Sequence, residues 1–206
     1  VEAGAGRTRL ILDGKPTAPV LYKGEPYKTS GDYQGFAKAG INLATVSVRL
    51  GSVKNMPGFW TGKGQYDFQA VEEPILAALR KNPQARLVLD VWFYPYQEWG
   101  AENPGDCWQN EKGERGYGWW GNLDGFTDDL GKVSTAQRQY WWYPSYQSPK
   151  WRADAAAAAA ELVRHLRATP YWKAVAGFFI SGGHDGQFQV LADNDTCAAN
   201  RAAFQA

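Results

Sequence analysis

Apolar residues occur along this chain in two patterns. Some form short continuous runs, and others recur every three or four positions. Short unbroken runs predict strands buried on both faces, and the longer spacing predicts amphipathic helices. The first run, Arg9–Leu12, leads into Asp13–Gly14–Lys15–Pro16. Asp-Gly is a hairpin signal, and a second apolar run, Ala18–Tyr22, carries the chain back. Ser30 to Ala39 predicts a short helix capped by Ser30 or Asp32 and stopped at Gly40. Ile41–Leu50 (INLATVSVRL) reads as a buried strand. From Ala70 to Lys81, Val71, Ile75, Leu76 and Leu79 share one helical face, and Asn82–Pro83 ends the helix. Arg86–Phe93 (RLVLDVWF) is the next strand and Ala174–Ile180 (AVAGFFI) another. Between them lies a strong helix over Lys150–Ala168, with Leu162, Val163 and Leu166 on one side. A last helix is expected over Thr196–Phe204.

Strand and helix therefore alternate, which implies right-handed crossovers and a parallel sheet. The fold class expected is α/β, with βαβ units forming about half of a (β/α)8 barrel behind a short β-hairpin. Residues 1–206 are read as one domain. Residues 1–17 form the leading hairpin, 18–190 carry the first four strands, and 191–206 begin the next helix. A whole barrel needs ~250 residues, and this chain has 206. The segment 94–149 has little periodicity, and loops of such length in compact domains are usually functional or disordered.

Composition narrows the field. With 22 basic and 21 acidic residues the net charge is +1, which argues against a nucleic-acid partner. No apolar run reaches the ~20 residues of a membrane helix, so no membrane partner is expected. Two cysteines, Cys107 and Cys197, fit no zinc spacing. They are compatible with one disulfide or with two thiols. Two histidines are too few for a His-rich metal site, and neither metal nor cofactor is expected. Aromatic residues make up 15% of the chain, and disorder is not their usual company. Many sit in glycine-rich stretches such as Gly116–Gly121 and in Tyr140–Tyr143. Rings in such loops either stack on flat, partly apolar ligands such as sugars or pack the loop onto the domain. The chain opens at Val1 without an initiator Met. That start and the aromatic loops point to a secreted or periplasmic protein, with the cytoplasm as the other option.

In parallel α/β folds ligands bind at the carboxyl ends of the strands. This rule selects Tyr22 and Lys23, then Arg49, then Asp90, Trp92, Tyr94, Gln97, Glu98 and Trp99, then His184, Asp185 and Gln187. Each has a structural alternative. Arg49 and Asp90 can form a buried ion pair, Asp90 can brace the interior, Glu98 can be a solvated loop acid, and His184–Asp185 can close a turn. The glycine-rich Ser181–Gly186 lacks a phosphate-loop pattern, and no GxSxG elbow is present.

Several of these stretches resemble a known family. Gly40–Ile41–Asn42 through Val48–Arg49 resembles the second barrel strand of clan A glycoside hydrolases. Gly64–Phe68, the helix after it and Leu87–Asp90 resemble the β-galactosidases of glycoside hydrolase families 42 and 35. Leu10–Pro16 resembles the hairpin that leads into such barrels, and Pro144–Tyr146 with Ser148–Trp151 the approach to their fourth strand. The resemblance implies a retaining glycosidase acting on β-linked glycosides with two carboxylates. The family's acid/base is a Glu after the fourth strand. This chain has His184–Asp185–Gly186–Gln187 there, so Asp185 is the candidate acid, with His184 and Gln187 beside it. The family's nucleophile follows the seventh strand, so a second chain or a carboxy-terminal half would supply it. Arg49 and Asp90 would orient the sugar or the missing nucleophile, Glu98 would be a further substrate contact, and Trp92, Tyr94, Trp99, Trp119, Trp120 and Trp142 would stack on the sugar. The other reading is a non-catalytic carbohydrate-binding protein on a barrel-derived scaffold.

Overall fold

A computed structural model describes residues 2–4, 7–24, 31–52, 57–109, 111, 113, 144–181 and 195–205. Strands β1 (Glu2–Gly4), β2 (Arg7–Leu12) and β3 (Lys15–Thr17) form an antiparallel sheet. The β2–β3 turn is Asp13–Gly14, with φ of 50° and 74°. Positive φ at both turn positions matches the twist of a two-residue hairpin, and Asp-Gly tolerates it. The returning strand is thus Lys15–Thr17, and the expected return through Ala18–Tyr22 is replaced by an exposed connection at Val20 and Leu21. Only Tyr22 of that run pairs, as a parallel bridge to Ala44.

Helix α1 (Tyr33–Lys38) is capped by Asp32, whose carboxylate accepts from the Gly35 N–H at 2.8 Å. It leads through Gly40, at φ 80°, into β4 (Leu43–Arg49). A small hairpin, β5 (Trp60–Gly62) and β6 (Gln65–Tyr66), precedes α2 (Gln69–Lys81). Strand β7 (Arg86–Trp92) follows, then the short α3 (Trp99–Glu102) and a 3-10 turn, Pro104–Asp106. Helix α4 (Pro149–Arg167) places proline in its first turn, where no N–H is needed. The Ser148 hydroxyl caps it, accepting from the Trp151 N–H at 3.0 Å. Strand β8 (Val175–Ser181) and helix α5 (Ala198–Gln205) complete the described elements.

The central sheet has the order β4-β7-β8, and both pairings are parallel. The chain is therefore mixed α/β around a three-stranded parallel sheet. Among the described residues no barrel closes. Two βαβ crossovers, through α2 and α4, build the sheet. Ala44, Val46 and Val48 of β4 and Leu87, Leu89 and Val91 of β7 share one core with both helices. From α2 come Val71, Ile75 and Ala78, and from α4 Ala155, Ala158, Leu162 and Leu166. Each large aliphatic residue buried here contributes ~1.5–3 kcal/mol. Leu76, expected on the apolar face of α2, is exposed, and Ala78 takes that place.

Strand β8 departs most from expectation. Its apolar run predicts burial on both faces, yet Phe179 and Ile180 are each 55% exposed and Phe178 is exposed beside them. The reason is position. The strand is the edge of the sheet, and among the described residues no neighbour covers it.

Candidate functional site

Period-two alternation divides each central strand between two faces. The apolar core takes one face. The other carries Thr45, Ser47 and Arg49 on β4, Asp90 and Trp92 on β7, and Ser181 at the end of β8. Register brings these together, because Ser47 lies opposite Asp90, Arg49 opposite Trp92, and Trp92 opposite Ser181.

Asp90 is the hub. It is buried, and both carboxyl oxygens accept hydrogen bonds. Oδ1 receives the Ser181 hydroxyl at 2.6 Å. Oδ2 receives the Trp92 indole N–H at 3.0 Å and the Ser47 hydroxyl at 3.3 Å. A carboxylate so engaged from three strands is held in one orientation. The Arg49 guanidinium lies over the Trp92 ring, 5.3 Å from its centroid, within the range of a cation–π contact. The Arg49–Asp90 ion pair offered as the structural alternative is not among the contacts between described residues. Asp90 instead orients Trp92, and Trp92 carries Arg49. Tyr94 is buried beyond them, its ring 6.0 Å from that of Trp92.

The strand ends are tied to one another. Gly51 follows β4 and donates its N–H to the Tyr94 carbonyl at 2.9 Å. A Cβ at Gly51 would fall 1.8 Å from the Pro95 carbonyl oxygen, so only glycine allows this approach. Tyr96 donates its hydroxyl to Glu102 and packs edge-on against Trp60 at 4.9 Å. Burial, followed by the Glu102 carboxylate, pushes its pKa well up.

Other predicted site residues are placed elsewhere. Trp99 is fully buried, donates its indole N–H to Asp154 at 2.8 Å and packs edge-on against Trp151. Its ring is part of the core and has no face for a ligand, which corrects its reading as a stacking platform. Trp92 is likewise enclosed, between Arg49 and Asp90, and positions those groups rather than offering an open face. Glu98 is exposed at the start of α3 and makes no capping hydrogen bond there. Trp119, Trp120, Trp142, His184, Asp185 and Gln187 lie outside the described residues. Reading the sequence alone missed Ser47 and Ser181 as members of the cluster. The alternation that selects Arg49 also selects Ser47 two residues earlier, but Ser181 is reached only through the β7–β8 register.

A groove of about 770 Å³ lies at the opposite end of the sheet, lined by Asp13, Asn42, Gln84 and Arg86 among others. It is the crevice where the leading hairpin leans on the amino ends of the strands, tied by an exposed Arg86–Asp13 ion pair. Its Arg86 and Asp13 side chains are spent on each other and Asn42 accepts from Asn82, so the carboxyl ends of the strands are the better candidate site. Among the described residues no group of three His, Cys, Asp or Glu side chains is placed to hold a metal ion. No helix among them is long and apolar enough to cross a membrane. No protein-family model matches the chain, and no curated protein is significantly similar to it.

Proposed function

We propose that this chain is a glycoside hydrolase-like domain acting on β-linked glycosides, with its site at the carboxyl ends of β4, β7 and β8. The observation that carries the reading is the Ser47–Asp90–Trp92–Ser181 cluster with Arg49 above it. It is a buried polar constellation where parallel α/β folds place ligands. The sugar class comes from the family resemblance of the surrounding segments. In this reading Asp90 is a positioning residue, since both its oxygens already serve protein donors. Arg49 is the group presented to the ligand.

Asp185, after β8, is the general acid, with His184 and Gln187 beside it. A two-carboxylate mechanism needs its partner about 5–5.5 Å away for retention, and further βα units, in a second chain or a longer one, would supply it. Two features support further units. Each new strand of the sheet is added on the same side, in the order β4-β7-β8, as in a singly wound barrel. The outer strand β8 exposes apolar side chains on both faces, as a strand with a missing neighbour would.

The test pairs calorimetry against β-linked oligosaccharides with hydrolysis of aryl-β-glycosides and a measurement of native mass. From the assembled protein, binding is expected together with turnover, and Asp185→Asn should abolish the turnover while leaving the binding. Wild-type turnover by Asp185→Asn would remove the acid assignment. Absence of any binding at millimolar sugar would remove the carbohydrate reading. Gln187, standing where the family's acid is expected, favours the second reading, carbohydrate binding without cleavage. Binding with no hydrolysis would select it.

A further inference from the structure

Cys107 and Cys197 play no part in the site above, yet the fold brings their segments together. Residues on either side of one cysteine touch residues on either side of the other. Just before Cys107, the Pro104–Asp106 turn packs against α5, which begins just after Cys197. Just after Cys107, the Gln109 carbonyl accepts from the Thr196 N–H at 2.7 Å and from its hydroxyl at 3.2 Å. The Gln109 N–H in turn donates to the Asp195 carboxylate at 3.3 Å.

A third link between the two segments passes through Ser145. Cys107 forms an antiparallel bridge with Pro144. The next residue, Ser145, donates its hydroxyl to Asp195 Oδ2 at 2.5 Å. The Cys197 sulfur lies 3.5 Å from that same oxygen, and the Cys197 N–H donates to Oδ1 at 3.0 Å. Both sulfurs are thiols in this structure, and both residues are buried. Burial raises the Cys197 pKa, and the Cys107 thiol rests against the Gly100 and Asn103 carbonyls at 3.6 and 3.4 Å, so exchange at either sulfur requires the unfolded or partly folded chain.

We propose that Cys107 and Cys197 are a disulfide pair that, when oxidised, clasps α5 and its leading segment to the Pro104–Gln109 stretch. The oxidant is a small disulfide such as glutathione disulfide. One cysteine thiolate attacks a sulfur of that disulfide, forming a mixed disulfide and releasing one glutathione thiolate. The second cysteine thiolate then attacks the protein-side sulfur, forming the Cys107–Cys197 bond and releasing the second glutathione. Two protein thiols lose two protons and two electrons, and one external disulfide is reduced to two thiols. The bond closes a long loop, the case in which a cross-link removes the most unfolded-chain entropy.

The experiment refolds the chain from the reduced, denatured state in a glutathione redox buffer, so that burial does not limit access. Trapped thiols are then mapped by mass. The expected product is a monomer lighter by two hydrogens, with one linked peptide pair containing Cys107 and Cys197. Its melting temperature should exceed that of the reduced chain by about 5–10 °C. Cys107→Ser should show no such gain, and its Cys197 should carry glutathione or remain a thiol. Unlinked thiols, glutathione on both cysteines of the wild type, or a covalent dimer would each overturn the pairing. So would equal melting temperatures for the linked and reduced forms, which would leave no clasp.

Discussion

The Trp92 indole N–H donates to the carboxylate of Asp90 at 3.0 Å, from two residues further along the same strand. The period of a strand puts both on one face, and the carboxylate fixes the ring on which Arg49 rests. Asp90→Ala removes the 3.0 Å acceptor of the buried Trp92 N–H and leaves the Ser181 hydroxyl only the longer contact to the Val91 carbonyl at 3.5 Å. Each such loss costs about 1–3 kcal/mol. The expected destabilisation is about 2–4 kcal/mol, read as a lower urea midpoint. Asp90→Asn keeps the shape and one acceptor, so about half that loss is expected. A midpoint unchanged in both variants would mean that the hydrogen bonds are not made.

Gly51→Ala tests how closely the strand ends approach. The added methyl would meet the Pro95 carbonyl oxygen and the Tyr96 N, both backbone atoms with little room to yield. Overpacking of this kind costs about 1–3 kcal/mol and sometimes more, and the upper end is expected here. Gly64→Ala is the contrast. No atom lies near its added Cβ, and only its φ of 68° opposes the change. About 1 kcal/mol is expected there, from the left-handed backbone alone.

Alkaline titration should expose the buried tyrosines. Burial, and secondarily Tyr22, pushes the Tyr33 pKa up to about 12, and its hydroxyl donates to the Thr45 carbonyl at 3.0 Å. Burial and Glu72 likewise push Tyr171 up to about 12. Unfolded tyrosine ionises near 10. The raised folded values therefore contribute stability fully below pH 10 that is lost as pH rises toward 12. Denaturation midpoints should fall across that window. Tyr33→Phe should flatten the fall while lowering stability at neutral pH by about 1 kcal/mol. A pH-independent midpoint between 10 and 12 would contradict these assignments.

Acid should loosen the contact between the two crossover helices. His165 on α4 meets Glu72 on α2 at 2.8 Å and stacks face to face on Phe68, with centroids 3.9 Å apart. The His165 hydrogen bond, then Tyr171, holds the Glu72 carboxyl below its usual range. A depressed carboxylate contributes stability above its unfolded pKa, near 4.3, and loses it as pH falls through the folded value. The pair is partly exposed and solvent-screened, so less than about 1 kcal/mol is at stake. Glu72→Gln should remove that part of the acid sensitivity, measured as the pH dependence of the melting temperature. An unaltered acid limb would show that other carboxylates carry it.

Local pattern was enough to place most elements. The Asp13–Gly14 turn, the Asp32 cap, β4, α2, β7 and α4 all form where their residues predict. Each rests on neighbours within a turn or a hairpin: backbone preference at the turn, a side chain closing a helix end, apolar spacing along one face. Arg49, Asp90, Trp92 and Tyr94 were visible for the same reason, since strand ends follow from strands.

Relationships between distant segments were not visible in this way. Asp90 finds Ser47 and Ser181 across 43 and 91 residues, and no local pattern fixes which strands lie side by side. Register then decided that Asp90 bonds to Trp92 and the two serines rather than pairing with Arg49. Packing decided that Trp99 belongs to the core, where Trp151 and Asp154 meet it. Neighbourhood decided the fate of β8. An apolar run states only that burial is favourable, and whether burial occurs depends on what lies alongside, and among the described residues nothing does so at this edge.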